Sequence, residues 1–266
     1  MPTDTDADDL AALLERGDLE VEGRLSHASN AVYRVVVDGS LRAVYKPVRG
    51  ERPLWDFPDG TLAARELTSY LISRLGDWHR IPPTVLRDGP LGPGSLQVWV
   101  GPLDVTGDHD LLRVDPPGKL PEGYRPVVQG QDEYFADVVV SHADDPALRE
   151  VALLDAVLNN ADRKATALIL DDGDLFAIDH GLTMHEEPKL RTVLWGYAGE
   201  PLTADETAQL TDLQGLLATD QLRDLLAQLI TDTELIALDR RIRKLLRDET
   251  MPAIPPHRHP LPWPLW

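Results

Sequence analysis

Cysteine is absent from all 266 residues. That excludes disulfides and thiolate metal sites, and it suits a reducing cytoplasm. No apolar run reaches the roughly 18 residues that a membrane helix needs, so no membrane insertion is expected. Positive charge is scarce: 26 Lys and Arg stand against 45 Asp and Glu, a formal net charge of −19. A surface this acidic repels nucleic acids and anionic membranes. The opening stretch, MPTDTDADDL, lacks the basic region and apolar run of a signal peptide. No GxSxG, no GxGxxG and no internal repeat is present.

Hydrophobic residues make up 42% of the chain, enough for a sizeable core. The length suits one large domain or two small lobes. Residues 1–18 read as an acidic tail of about eight residues and a short helix over 8–17, with Leu10, Leu13 and Leu14 on one side. Residues 19–25, 31–37 and 41–48 read as strands, the last two joined by the turn Asp38-Gly39-Ser40. They predict a three-stranded antiparallel sheet. A proline-punctuated loop over 51–59 leads into an amphipathic helix over 61–78, with Leu67, Leu71 and Leu75 as its stripe, flanked by Tyr70 and Trp78. Two further strands are expected near 85–86 and 95–100. The first lobe therefore spans 19–101, with Gly101-Pro102 as a boundary.

The second lobe, 102–250, begins with a Pro-, Gly- and Asp-rich stretch that shows no assignable element up to Gly130. A helix over 146–158, capped by Asp144 or Asp145, is followed by a polar loop at 159–164. Short strands over 167–170 and 175–178 flank a turn at 171–174, and helices follow over 204–217, 219–231 and 232–248. Residues 251–266 form a proline-rich tail, in which Trp263, Leu265 and Trp266 are expected to anchor it to the body. The fold class is α+β.

Lys46 lies in the third strand and Glu66 at the edge of the apolar stripe of the next helix. A glutamate there can hold a strand lysine where it reaches nucleotide phosphates. The loop Ser26-His27-Ala28-Ser29-Asn30 is small and polar, and Ser26, Ser29 and Asn30 suit phosphate contact. Asp162 and Arg163 lie in the polar loop after an apolar helix. With the following turn centred between Asp172 and Gly173, Leu170 pairs with Leu175, Ala167 faces Ile178 and Thr166 faces Asp179. That register returns Asp179 beside Asp162. Two carboxylates so placed call for a shared proton or a divalent cation, and the nearby lysine points to Mg²⁺ and phosphate. A zinc site at His180 and His185 lacks a third ligand in any recognised spacing.

The order of strand lysine, helix glutamate, Asp-Arg loop and Asp-x-Gly resembles the kinases. The segments VYKP, PLWDFP, NNADRK, DHG and KLRTVLWGYAG, within residues 19–200, resemble the phosphatidylinositol 3-/4-kinase-like branch and an actinobacterial kinase-like group within it. The resemblance implies a two-lobed protein-kinase-like fold, with an antiparallel-sheet first lobe carrying one helix and a mainly helical second lobe. It implies ATP and Mg²⁺ as cofactors, and a small-molecule, inositol-lipid or protein acceptor. Lys46 would bind phosphates with Glu66 fixing it, Asp162 would serve the acceptor hydroxyl with Arg163 beside it, and Asp179 would hold Mg²⁺. Residues 97–101 would form the hinge at the adenine, with Gln97 in it and Trp99 as a wall. Where this branch places a second metal ligand, five residues after the catalytic aspartate, the chain has Ala167. Thr166 or Asn160 would have to substitute. Phosphotransfer, a pseudokinase that serves as a nucleotide-binding interaction module, and AMP transfer are therefore the three readings.

Overall fold

The computed structural model describes residues 4–25, 30–57, 61–103 and 110–266. Helix α1 (Asp4–Arg16) begins four residues before the expected start. The acidic residues read as a tail form its first turn, where negative charge complements the helix dipole. Its Leu14 is fully buried against Val35, Val37, Ala43, Tyr45, Val85 and Leu96. Arg87 Nη1 donates to the carbonyls of Leu14 and Gly17, closing the helix end onto the sheet.

That sheet has five antiparallel strands in the order β1-β2-β3-β5-β4. They are β1 (Leu19–Arg24), β2 (Tyr33–Val37), β3 (Leu41–Pro47), β4 (Thr84–Gly89) and β5 (Gly92–Val98). The two late strands add to the expected three through β5, which pairs with β3. Gly94 makes this close approach possible, because a Cβ there would lie 2.4 Å from the Lys46 carbonyl oxygen.

Helix α2 (Leu62–Leu75) starts at Thr61, whose hydroxyl accepts from Ala64 N. The Glu51 carboxylate accepts from Leu62 N and Ala63 N, so three of the free first-turn N–H groups are paired. The helix stops at Gly76, and Trp78 turns into the core beyond it, 1% exposed. The expected leucine stripe is only partly buried. Arg65, Glu66, Ser69, Tyr70 and Ile72 are buried instead, because α2 is covered by the sheet on one side and by the C-terminal helices on the other.

A second antiparallel sheet fills the stretch where no element was expected. It has the order β6-β8-β7: β6 (Leu112–Asp115), β7 (Tyr124–Gln131) and β8 (Asp137–Ala143). In β7, Pro126 borders a register shift, one of the few strand positions open to a proline. Helix α3 (Pro146–Leu158) is capped by Asp145, whose side chain accepts from Ala147 N and Leu148 N. The hairpin β9 (Leu168–Asp171) and β10 (Asp174–Ala177) pairs Leu170 with Leu175 as expected. Helices α4 (Ala204–Leu217), α5 (Asp220–Leu226) and α6 (Asp232–Asp248) follow, and α5 is shorter than expected. The larger core cluster joins α2, α3, β10, α4 and α6.

The tail docks through its backbone. The Pro260 carbonyl accepts from Thr192 N (3.1 Å) and Trp195 Nε1 (2.7 Å), and the Leu265 carbonyl accepts from Ala165 N (2.9 Å). Leu265 packs against the core, but Trp263 is 85% exposed and Trp266 39%, so neither indole is the anchor expected of it. Pro262 is buried in their place. No helix of the described residues is long and apolar enough to cross a membrane.

Candidate active site

Alternation along β3 buries Ala43, Tyr45 and Pro47 and turns Lys46 to the other face. There Lys46 Nζ lies 2.5 Å from Glu66 Oε1 and 2.6 Å from Asp179 Oδ1. The other Glu66 oxygen accepts from His180 N at 3.0 Å. One carboxylate thus ties the strand lysine to the Asp179-His180-Gly181 turn. Glu66 is held in turn by its helix neighbour: Arg65 forms a buried ion pair with Glu234 of α6 at 2.5 Å and donates to the Thr183 carbonyl at 2.8 Å. Burial opposes the Lys46 ammonium, but Asp179 and Glu66 outweigh it and raise its pKa above the ordinary lysine value. The Lys46 charge holds the Asp179 carboxyl below the ordinary range.

Arg163, expected among the catalytic groups, is wholly buried and does not reach the cleft. Its guanidinium grips Asp155 of α3 with Nε 2.9 Å from Oδ2 and Nη2 2.9 Å from Oδ1. Its remaining donors reach the carbonyls of Ala167 (3.1 Å) and Ile178 (2.8 Å), and His180 Nε2 (2.7 Å). Since Arg163 can only donate, that His180 nitrogen accepts and the ring proton sits on Nδ1. Burial, with the Arg163 and Lys46 charges, pushes His180 well below its ordinary pKa and keeps it neutral. Arg163 therefore fixes the loop carrying Asp162 to the strand end carrying Asp179.

Asp162 itself is half-buried, with Lys164 Nζ at 3.1 Å. Burial raises its pKa; Lys164 opposes this, and the nearby Asp179 charge adds to it. Asp179 lies near enough for its charge to act on Asp162, and Ile178 N donates to the Ala167 carbonyl at 3.0 Å, which continues the expected register by one residue. The ladder itself ends at Leu168–Ala177, and residues Ala165–Ala167 form a 3-10 turn. Asp179 lies beyond the ladder at φ +60°, a left-handed conformation sparsely populated by non-glycine residues and concentrated at functional sites.

The donor set suits a cation that arrives with phosphates. Asp179 is exposed, and only its Oδ1 faces Lys46. A magnesium ion commonly takes one or two carboxylates and completes its shell with phosphate oxygens and water. Thr166 is exposed in its turn, while Ala167 is buried and offers no side-chain oxygen. Asn160 is buried, with Nδ2 donating to Asp155 Oδ1 and Oδ1 accepting from Asp162 N, so it shapes the loop rather than presenting a free ligand. Among the described residues no group of three or more His, Asp or Glu is placed to hold a metal by itself.

Of the other expected nucleotide contacts, Ser26 and Ser29 lie outside the described residues. Asn30 Oδ1 accepts from Arg52 N, closing the base of their loop. Gln97 is buried, with Nε2 on Thr84 Oγ1 at 2.8 Å. Trp99 is half-buried, its N–H on the Gly101 carbonyl and its ring 5.9 Å from the Arg34 guanidinium carbon. Gly101, at φ +79°, approaches β9 so closely that a Cβ would lie 2.6 Å from Ile169 Cγ2. The end of β5 therefore passes directly over the β9–β10 hairpin.

Three contributors were missed in the sequence. Asp155 could have been found as the lone acid in the apolar run Val151–Leu158 of α3. His180 was weighed only as a zinc ligand. Arg191 lies in the quoted segment KLRTVLWGYAG but had no signal of a place in the site, since that place depends on a bridge between Arg163 and Thr192 that lays its segment beside the loop of residues 159–164.

No family model matches the chain. The fold is similar to that of the Golgi casein kinase: its crystal structure gives a TM-score of 0.55 at 13% identity, covering 93% of this chain and 76% of that one. The same kinase with Mn/ADP bound gives a TM-score of 0.54. In sequence the chain is 45% identical over 267 residues to Protein Rv2133c of Mycobacterium tuberculosis, covering 97% of this chain and 95% of that protein. With an antiparallel N-terminal sheet, a mainly helical C-terminal part and a kinase-like fold, the chain belongs to the family of Protein Rv2133c.

Proposed function

We propose that the chain is an ATP-dependent, Mg²⁺-assisted phosphotransferase acting on an alcohol. The observation that carries this reading is the joined set Lys46, Glu66 and Asp179, with Nζ 2.5 and 2.6 Å from the two carboxylates. A formed strand-lysine and helix-glutamate pair is the arrangement in which a kinase fold is competent for phosphoryl transfer. When bound, the nucleotide supplies the phosphoryl group and Mg²⁺ neutralises its oxygens.

The chain's own groups do the rest. Lys46, kept protonated, places a fixed positive charge for the phosphates. Asp179 offers its outward oxygen to the cation. Asp162 accepts the proton of the acceptor hydroxyl as the new O–P bond forms and the bond to the bridging oxygen breaks, releasing ADP. The raised pKa of Asp162, caused chiefly by burial, makes it a better proton acceptor than an ordinary aspartate. The Mn/ADP complex of the Golgi casein kinase supports the nucleotide assignment through the shared fold.

The pseudokinase reading is favoured by Ala167, which is 4% exposed and has no ligating atom. Calorimetry with Mg-ATP and an ADP-release assay separate the two. Phosphotransfer predicts Mg²⁺-dependent nucleotide binding, ADP release, and loss of release in Asp179→Ala. Binding without release in the native chain, with release appearing in Ala167→Asn, would establish a degenerate metal site instead. Mass spectrometry of the product must show an added phosphate; an added adenylate would mean AMP transfer.

A further inference from the structure

A cavity of about 660 Å³ opens beside Asp162, and its walls come from three separate stretches of chain. Asp162 lies in the catalytic loop, Leu182 and Arg191 in the segment after the metal turn, and His259, Leu261 and Trp263 in the C-terminal tail. The volume falls in the range of small-molecule sites.

The walls are built in. Arg163 N donates to the Arg191 carbonyl at 3.0 Å and Arg191 N to the Asn160 carbonyl at 2.9 Å, which locks the Arg191 backbone to the loop carrying Asp162. The tail is held by two backbone hydrogen bonds, Thr192 N to the Pro260 carbonyl and Ala165 N to the Leu265 carbonyl, and by the Trp195 indole N–H on the Pro260 carbonyl, so Leu261–Pro264 is pinned at both ends.

Two features of this cavity go against the rest of the molecule. The chain carries a net charge of −19, yet Arg191 stands on this wall, near enough for its charge to act on Asp162. The Arg191 side chain has no ion pair or hydrogen bond among the described residues, and His259 adds a ring nitrogen to the same wall. A guanidinium that shares a cavity wall with one carboxylate but is bonded to none among the described residues is suited to an anion brought by a ligand. In addition, Trp263 keeps its ring 85% exposed on a pinned backbone, a broad apolar face at the rim.

We infer that this cavity receives the acceptor, and that the acceptor is a small phosphorylated sugar or polyol. Its phosphate would lie on Arg191 and His259, its carbon face on Trp263, and a free hydroxyl at Asp162. This rests on the phosphotransferase reading and adds the substrate class to it. The transfer balances as before: the hydroxyl proton goes to Asp162, the oxygen takes the γ-phosphoryl group, and ADP leaves. The substrate's own phosphate is retained.

The test uses the full chain and matched pairs: glycerol 3-phosphate against glycerol, ribose 5-phosphate against ribose, and glucose 6-phosphate against glucose. Mg-ATP affinity is measured separately by calorimetry. Acceptor binding is followed by the indole fluorescence that Trp263→Phe removes, and turnover by ADP release. The expected result is saturable binding and faster ADP release with at least one phosphorylated member, at a concentration about ten-fold or more below that of its neutral partner. Arg191→Ala should raise the KM of that phosphorylated member about ten-fold or more, and by more than it raises the KM of the neutral partner, with the Mg-ATP dissociation constant unchanged. The inference is overturned if Mg-ATP binds but no phosphorylated member binds saturably. Equal use of both members of every pair, or a clear preference for a serine peptide, overturns it as well. Failure of Mg-ATP to bind would instead sink the phosphotransferase reading, while the fluorescence titration still decides whether the cavity takes a phosphorylated polyol.

Discussion

Lys46 is fixed by direct ion pairs to other reactive groups, at 2.5 Å to Glu66 and 2.6 Å to Asp179. Asp162 has an ion pair to its near neighbour Lys164 at 3.1 Å, but its loop is fixed at one remove, by a residue that never reaches the cleft: Arg163, which grips Asp155, two carbonyls and His180 from inside. In the first half of the site the positioning groups are also the groups to which the proposed function assigns chemistry. In the second half they are separate, so chemistry and stability can be altered independently. The two halves meet at the turn of residues 179–180, where Lys46 holds the Asp179 side chain, Glu66 holds the His180 amide and Arg163 holds the His180 ring.

The strongest way to break the comparison is to attack the clamp. Asp155→Ala leaves the Arg163 guanidinium buried without its counter-charge, and should cost about 3–5 kcal/mol of stability in denaturant unfolding. A loss below about 1 kcal/mol would show that Arg163 is not held as described. Lys46→Met attacks the other half. It should lower kcat/KM by roughly 100-fold or more, comparable to removing one preorganised charge-stabilising donor. Its cost in unfolding should be smaller than that of Asp155→Ala; the reverse order would erase the distinction between the halves.

Titration sharpens the same contrast. Asp162 has a raised pKa, so activity should fall as pH drops through a value above that of an ordinary aspartate, and Asp162→Asn should abolish both this limb and most of the rate. Asp179 has a lowered pKa, so its contribution to stability is present above the unfolded value and is lost only as pH falls through the lower folded value. Lys46 has a raised pKa, so its contribution is complete below the ordinary lysine value and is lost as pH rises through the higher folded one. Stability curves of Lys46→Met should therefore lose pH dependence at both extremes, whereas Asp162→Asn should leave those extremes unchanged. The smallest effect is expected at the tail. Trp263→Ala should shift unfolding by less than about 0.5 kcal/mol, because the ring is 85% exposed and the tail is held through its carbonyls. A larger loss would mean that the indole packs on the body in solution.

Much of the framework was legible because it follows from local pattern. The spans of α3, α4 and α6 coincide with the apolar periodicity of residues 146–158, 204–217 and 232–248. The β9–β10 register follows from a single turn, Asp172-Gly173. The second sheet was illegible because β7 contains Pro126 and Gly130, which locally signal loop; only a bulge beside β8 makes the proline acceptable there. The leucine stripe of α2 misled in another way. Amphipathic spacing describes a helix with one buried side, and α2 is buried on more than one.

The sequence by itself determined which reactive residue types occur and in what order: a lysine on a strand, a glutamate on the next helix, and two aspartates on either side of a hairpin. Helix periodicity, strand alternation and turn chemistry act over a few residues, so they place such groups on faces and at loop ends. Only the tertiary structure decided what each group touches. Arg163 reads as a cleft residue beside Asp162, but the buried carboxylate of Asp155 draws its guanidinium inward, where one ion pair and three further hydrogen bonds satisfy it. Arg191, which no local pattern places in the site, shares a cavity wall with Asp162 because its backbone is bonded to the loop of residues 159–164. Burial and charge pairing between residues far apart in the chain settled both outcomes, and neither leaves a mark on local spacing.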